Sequence, residues 1–365
     1  MKILLCGPEP SAKGGVTIWM KLVLEYFSTN SIDGIEVTHL NIKRSVSLPA
    51  MLPTYKRLFY AVKDYIKALT DLHSALKKKE YDVVHIISAG GTGIIRDRIF
   101  SMLAKHYKAA PIVHYHCGTI PDTLSSDGLI NKILHKTLTN CKKAIVLDEN
   151  TFDSLCKNGY KNVIKLGNPY NPIIDKIITE EVVRIPNRVL FVGHIVPEKG
   201  IYELLKATQD IPDIEVECYG PENEAFKNEL SEYIKIHPHK GHIKFNGLQA
   251  PEKIYKEMCK AALFVLPTYT EGFPFVIVEA MACGCPIIST PVGAIKEMLT
   301  YKNEIQGFLV EPRDDKGLKN QIIYCLSHKQ QIEEKAALAR MKANEEYSYE
   351  AIVNKLINIW KEINN

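Results

Sequence analysis

The 365-residue chain has no apolar run approaching the roughly 18 residues that a membrane-spanning helix needs. Its first residues, MKILLCGPEP, form a short apolar stretch broken by Gly7 and Pro8, without the core and cleavage site of a secretory signal. There is no Cys-x-x-Cys pair, and the nine cysteines are scattered from Cys6 to Cys325. An odd, dispersed set argues against a disulfide framework or a zinc knuckle and for a reducing, cytoplasmic setting, with most of the thiols acting as small buried hydrophobes. No Asp-x-Asp occurs to hold a diphosphate through a divalent metal. His237, His239 and His242 have no cysteine or carboxylate at ligand spacing and read as a solvated turn, so no metal is expected. There is no Walker lysine and no Gly-x-Gly-x-x-Gly, since Gly91-Thr-Gly93 lacks the third glycine. Basic and aromatic residues do not interleave as in RNA-binding surfaces, which excludes nucleic acid as a partner.

What is present is ordinary for a folded protein: 46% apolar and 24% charged residues. At about 100–200 residues per domain, the length favours two domains. The charge is divided, with a net of +8 over residues 1–180 and −4 over 181–365. Short apolar runs alternate with helical stretches: KILLCG, IEVTHLNI, DVVHIIS, PIVHYH, KAIVLD and NVIKLG in the first half. The pattern restarts with RVLFVG, IEVECYG, HIKFNG, LFVLP, PIISTP and GFLV, followed by a helical tail from about Lys316. Between them a proline-bearing segment reads as a linker. Two such alternations predict an α/β protein of two doubly wound parallel-sheet domains, with ligands outside the carboxyl ends of the strands. The expected division is residues 1–172, a linker at 173–187, residues 188–347, and a last helix at 348–365.

The most informative stretch runs from Pro267 to Pro286. It follows an apolar strand and carries Glu271 and Glu279 on either side of a Gly272-Phe273-Pro274 turn. Pro274 fits the start of a helix, which leaves the N–H groups of Phe275, Val276 and Ile277 as donors for an anion such as a diphosphate. Carboxylates accept paired hydroxyl hydrogen bonds, so sugar rings suit Glu271 and Glu279. Lys199, in the loop Gly193-His-Ile-Val-Pro-Glu-Lys-Gly200 after the first strand of the second domain, is placed to neutralise a diphosphate. In Lys13-Gly-Gly-Val16, glycine permits close backbone approach to a ligand, with Gly15 as the candidate. His114 and His116 point to the same side of a strand, with His116 at its carboxyl edge.

The Glu271-to-Glu279 spacing resembles the E-x7-E signature of retaining family-4 glycosyltransferases of the GT-B fold. The resemblance extends over nearly the whole chain through the early glycine loop, the turn ending in Lys199-Gly200, the EAMACGCPII run and the closing helix. It implies two facing Rossmann-like domains with the last helix packing back on the first, a nucleoside-diphosphate sugar donor, UDP- or GDP-linked, and neither metal nor other cofactor. Glu271, Lys199 and His116 are then the catalytic candidates. Gly15, His194, Gly220, Gly272, Phe273, Pro274, Phe275, Val276 and Glu279 are the donor-binding ones. His194 departs from the family, which usually has Arg there. Asp122 and Arg96 are the candidates for the acceptor, a glycan or lipid-linked hydroxyl in cell-surface polysaccharide or lipopolysaccharide assembly. The basic, amphipathic region Pro49–Lys79 suggests peripheral contact with an anionic membrane at its inner face. A nucleotide-sugar epimerase and a non-catalytic sugar-nucleotide-binding protein are the alternatives. The oligomeric state is left open.

Overall fold

A strand buried on both faces reads as a continuous apolar run, and this is how the central strands of the chain are written. In the computed structural model, which describes all residues except 11–13, 43–53, 179–182 and 365, the chain forms two compact units. The first comprises Met1–Gly167 with Val353–Asn365, and the second Asn168–Ile352. The segment 173–187, expected as a linker, lies within the second unit. It holds the short helix Ile173–Ile177 and the start of a strand.

The first unit is built on β1 (Lys2–Gly7), β2 (Glu36–Asn41), β3 (Val83–Ser88), β4 (Ala110–Tyr115), β5 (Lys143–Val146) and β6 (Val163–Lys165). They form one parallel sheet in the order β2-β1-β3-β4-β5-β6. The Gly15–Thr29 helix buries Trp19, Met20, Leu22 and Val23. Helix Glu149–Lys157 starts where the Asp148 carboxylate accepts the Thr151 N–H at 2.8 Å, a side-chain cap for one of the free donors of the first turn. The closing helix Tyr349–Asn364 brings Trp360, fully buried, into this unit.

The second unit contains β7 (Ile185–Val192), β8 (Glu215–Tyr219), β9 (His242–Phe245), β10 (Ala261–Leu266), β11 (Ile287–Ser289), β12 (Thr300–Tyr301), β13 (Glu304–Ile305) and β14 (Phe308–Leu309). Six of them make a parallel sheet in the order β14-β11-β10-β7-β8-β9, while β12 and β13 pair as a separate antiparallel hairpin. Leu190, Phe191, Phe264, Ile277 and Met281 are fully buried around the central strands. The helical tail is divided into Asp315–Ser327, Lys329–Glu346 and Tyr349–Asn364. Seven of the nine cysteines are buried, and all nine are free.

One face of the first sheet carries an unusual group. His85 on β3 and His114 on β4 are fully buried, and His116 follows β4. Their rings lie together, with centroids 5.5 Å apart for His85–His114 and 4.1 Å for His114–His116, and Trp19 packs edge-on against His114 at 5.0 Å. The Trp360 indole N–H donates to His85 Nδ1 at 3.1 Å, which puts the proton of the neutral ring on Nε2. Both nitrogens of His114 and the Nε2 atoms of His85 and His116 are buried without a hydrogen-bond partner. Burial therefore disfavours the charged forms, pushing His85 and His116 down to about 3 and His114 well below the ordinary imidazole range. The unfolded chain takes up protons here as the pH falls below about 6.5, and the folded chain does not until far lower, so this contribution to stability is lost on acidification. Both tryptophans lie in this unit and report on it. Urea unfolding followed by tryptophan fluorescence should show stability falling between pH 6.5 and 4 by up to about 1.4 kcal/mol per pH unit for each histidine. The fall should be shallower in His114→Gln. An equal slope in the two proteins would contradict this account.

Candidate functional site

In the second unit β7 and β10 are neighbours at the centre of the sheet, so the loops leaving their carboxyl ends must meet. The β7 loop contains a single 3-10 turn, Pro197–Lys199, that closes on Gly200. The β10 loop runs from Pro267 to Pro274, which begins the helix Phe275–Ala282. Hydrogen bonds join the two loops: the Tyr269 N–H donates to the Glu198 carbonyl at 2.8 Å, and the Thr268 hydroxyl to the same oxygen at 3.3 Å. Lys199 is thereby set opposite Glu271, and its ammonium donates to the Glu271 carboxylate. Both side chains keep part of their surface open, 25% for Lys199 and 14% for Glu271. The residues expected to serve the phosphate and the sugar of one ligand are ion-paired with each other.

Glu279 lies one turn into the Phe275–Ala282 helix and is partly exposed. Its carboxylate accepts the Tyr255 hydroxyl at 2.6 Å. Burial pushes Glu279 up to about 7, and the hydrogen bond from Tyr255 opposes that shift. Tyr255, on the Pro251–Lys260 helix, was missed in the sequence because nothing in its spacing marks it. The helix start differs from expectation in one donor. The Ile277 N–H donates to the Pro274 carbonyl at 3.2 Å, while those of Phe275 and Val276 have no backbone acceptor among the described residues. The side chains of Phe273, Pro274 and Phe275 are buried, with Phe273 set edge-on to Tyr347 at 5.6 Å. What this turn can offer a ligand is backbone. Asn168, buried and also missed, donates to the Phe273 carbonyl at 3.3 Å and steadies the turn.

Two glycines fix how closely the strands' ends approach. Gly220, after β8, has φ +147°, and a Cβ there would overlap the Gly193 carbonyl oxygen, so the residue brings the β7 and β8 loops into contact. Gly293 has φ +55°, and a Cβ there would overlap the Glu271 carbonyl oxygen. Next to it the Ala294 N–H donates to the Gly272 carbonyl at 2.9 Å. The spacing of glutamates could not reveal Gly293, although a glycine just after a strand was its signal. His194 is exposed, and among the described residues its side chain has no hydrogen-bond partner.

The remaining candidates lie in the first unit. Gly15 is the first residue of its helix, and the positive φ of that loop, +124°, belongs to Gly14; Lys13 lies outside the described residues. His116 is partly buried, its ring against His114 and Trp19. The Arg96 guanidinium donates to Asp97 at 2.8 Å and to the Ile87 carbonyl at 3.0 Å, which ties it to the end of β3. Asp122 is exposed in the first turn of the helix Ile120–Leu124. Among the described residues no group of three or more His, Cys, Asp or Glu side chains is placed to hold a metal ion, and no helix is long and apolar enough to cross a membrane.

Residues 177–345 match the family of glycosyl transferases group 1. An uncharacterized glycosyltransferase of Methanocaldococcus jannaschii is 27% identical over 234 residues, covering 62% of this chain and 61% of that protein. The chain thus spans less than two thirds of that relative's length. An uncharacterized glycosyltransferase of Haemophilus influenzae is 24% identical over 321 residues, 82% of this chain and 81% of that one. Among solved structures, Anabaena HepE in complex with UDP is similar at a TM-score of 0.74 and 18% identity, over 99% of this chain and 100% of that one.

Proposed function

Residues 177–345 belong to the group 1 glycosyl transferases and the chain has the GT-B fold, and from this premise we propose that it transfers a sugar from a nucleoside-diphosphate donor to a hydroxyl acceptor with retention at the anomeric carbon. The observation that carries the reading is the Lys199–Glu271 pair beside the two unpartnered N–H groups that open the Phe275–Ala282 helix. Donors at a helix start, together with an ammonium, suit a diphosphate. Lys199 exchanges Glu271 for the donor phosphates, and the released Glu271 carboxylate accepts hydroxyls of the donor sugar. Glu279 accepts the ribose hydroxyls. As the bond from the anomeric carbon to the diphosphate oxygen breaks, Lys199 and the Phe275 and Val276 N–H groups stabilise the charge gathering on the leaving group. The acceptor oxygen bonds to the same face, and its proton passes to the departing diphosphate. The donor nucleotide is UDP or GDP, consistent with the UDP bound by Anabaena HepE, and no metal is required in this scheme.

A thermal-shift screen against UDP-, GDP- and ADP-sugars, followed by transfer assays with the stabilising donor, tests the reading. One donor series should raise the melting temperature, and Lys199→Ala and Glu271→Ala should each lose about 10²–10³-fold in turnover. Near wild-type turnover in either variant would count against it, and conversion of donor alone without acceptor would indicate an epimerase.

The acceptor is a glycan or lipid-linked hydroxyl in cell-surface polymer assembly, presented at an anionic membrane. Support comes from the helix Thr54–Lys78, where Phe59, Val62 and Ile66 are exposed on one stripe with Lys56 and Lys63 exposed beside them. Residues 49–53 of the expected amphipathic region lie outside the described residues. The protein should sediment with phosphatidylglycerol vesicles and not with phosphatidylcholine ones, and Phe59→Ser with Ile66→Ser should abolish this. Equal sedimentation of the double variant would rule out this helix as the contact.

A further inference from the structure

The second unit has a cavity of about 520 Å³ that serves none of the roles above. Cys259, Cys283, Arg184, Glu333 and Arg340 line it. Cys259 is on the Pro251–Lys260 helix and Cys283 ends the Phe275–Ala282 helix, its N–H donating to the Glu279 carbonyl at 2.9 Å. The placement repeats the Tyr255–Glu279 pair one turn further along: Cys259 is four residues after Tyr255, and Cys283 four after Glu279. The Cys283 sulfur also lies 3.8 Å from the Tyr255 carbonyl oxygen. The Tyr255 carbonyl belongs to the helix that carries Cys259, so Cys283 reaches across to that helix within the cavity both thiols line. Arg184 holds the end of this arrangement, donating to the Cys259 carbonyl at 3.1 Å. Cys285, two residues away, is turned to the Ala261 carbonyl and does not line the cavity.

We propose that Cys259 and Cys283 are an oxidisable dithiol, reached by a peroxide through this cavity and coupled to Glu279 through the helical turn they share with the Tyr255–Glu279 hydrogen bond. The coupling rests on the donor-site reading, whereas the thiol chemistry stands apart from it. Arg184, bonded to the Cys259 carbonyl, sets its positive charge beside Cys259 and favours it as the attacking thiolate. Hydrogen bonding and the Arg184 and Arg340 guanidiniums bring Cys259 below the ordinary thiol range, while burial raises Cys283 above it. The Cys259 thiolate attacks one peroxide oxygen; the O–O bond breaks, leaving a sulfenic acid and hydroxide, which takes the proton that Cys259 had released. The Cys283 sulfur then attacks the sulfenic sulfur. The S–S bond forms, the S–O bond breaks, and the hydroxyl leaves as water with the proton of Cys283. Two thiols are oxidised, and one peroxide is reduced to two waters. The new bond ties the two helices together beside Glu279 and Tyr255 and shifts the carboxylate from its place.

The test treats the reduced full-length protein with hydrogen peroxide, maps its peptides by mass spectrometry, and measures UDP and GDP binding by calorimetry before and after. The expected result is loss of two hydrogens and a cross-link between the peptides bearing Cys259 and Cys283. Dithiothreitol should reverse it, and Cys259→Ala and Cys283→Ala should both lack it. Nucleotide affinity should fall about tenfold, as for a lost hydrogen bond to a charged group, and recover on reduction. Oxidation confined to the exposed Cys156, with Cys259 and Cys283 still thiols, would overturn the dithiol. A cross-linked protein that binds the nucleotide as tightly as the reduced one would overturn the coupling. Reduced protein that binds neither UDP nor GDP would count against the donor site itself and leave the dithiol to be decided by the cross-link.

Discussion

The 2.8 Å hydrogen bond from the Tyr269 N–H to the Glu198 carbonyl is where the site of the second unit is made. It joins the loops leaving β7 and β10, two strands that are adjacent in the sheet and separated in sequence by β8 and β9. Without that junction Lys199 and Glu271 would be two solvated side chains on neighbouring loops, worth about 0–1 kcal/mol as a surface pair. With it, ammonium and carboxylate are held together at the carboxyl edge of the sheet, next to a helix start with two free donors. Gly293 and Gly220 allow the remaining loops to close around the same edge. The site thus follows from strand order first and side-chain chemistry second.

Buried titratable groups are treated in two ways in this protein. In the first unit, His85, His114 and His116 are kept neutral by burial, with several ring nitrogens left without partners. Unpartnered buried polar atoms cost stability, and the packed tryptophans Trp19 and Trp360 supply the apolar contact that surrounds them. In the second unit, Glu279 is raised to about 7 yet keeps a hydrogen bond from Tyr255 and some exposure. A carboxyl balanced between its two forms near neutral pH responds to any hydroxyl that approaches it.

The centres of the sheets were legible because their strands are buried on both faces. KILLCG and DVVHIIS read as strands, and they became β1 and β3. The Glu271–Glu279 spacing on a strand-to-helix junction was equally readable, since a turn of Gly-Phe-Pro has a defined backbone role. What escaped was set by tertiary packing. The helix Leu129–Asn140 mixes apolar residues with Asn, Lys, His and Thr and does not announce itself. The helix Ile173–Ile177 is hidden by the prolines around it, which read as a linker. Tyr255 matters because of Glu279, 24 residues away, and no local pattern connects them. The ion pairing of Lys199 with Glu271 was likewise invisible, because it depends on β7 lying beside β10.

The central claim is that the second unit holds a nucleoside diphosphate with Glu279 against the ribose. Hydroxyls donating to Glu279 favour its ionised form and lower a pKa that starts near 7, so binding at pH 7 must expel part of a proton from this group. The most direct measurement is calorimetric titration of UDP and GDP at pH 7 in buffers of different ionisation enthalpy, comparing the wild type with Glu279→Gln. The account predicts that one nucleotide binds and that the wild type releases a fraction of a proton more than the variant. Equal proton release in the two proteins, or no binding of either nucleotide, would contradict it.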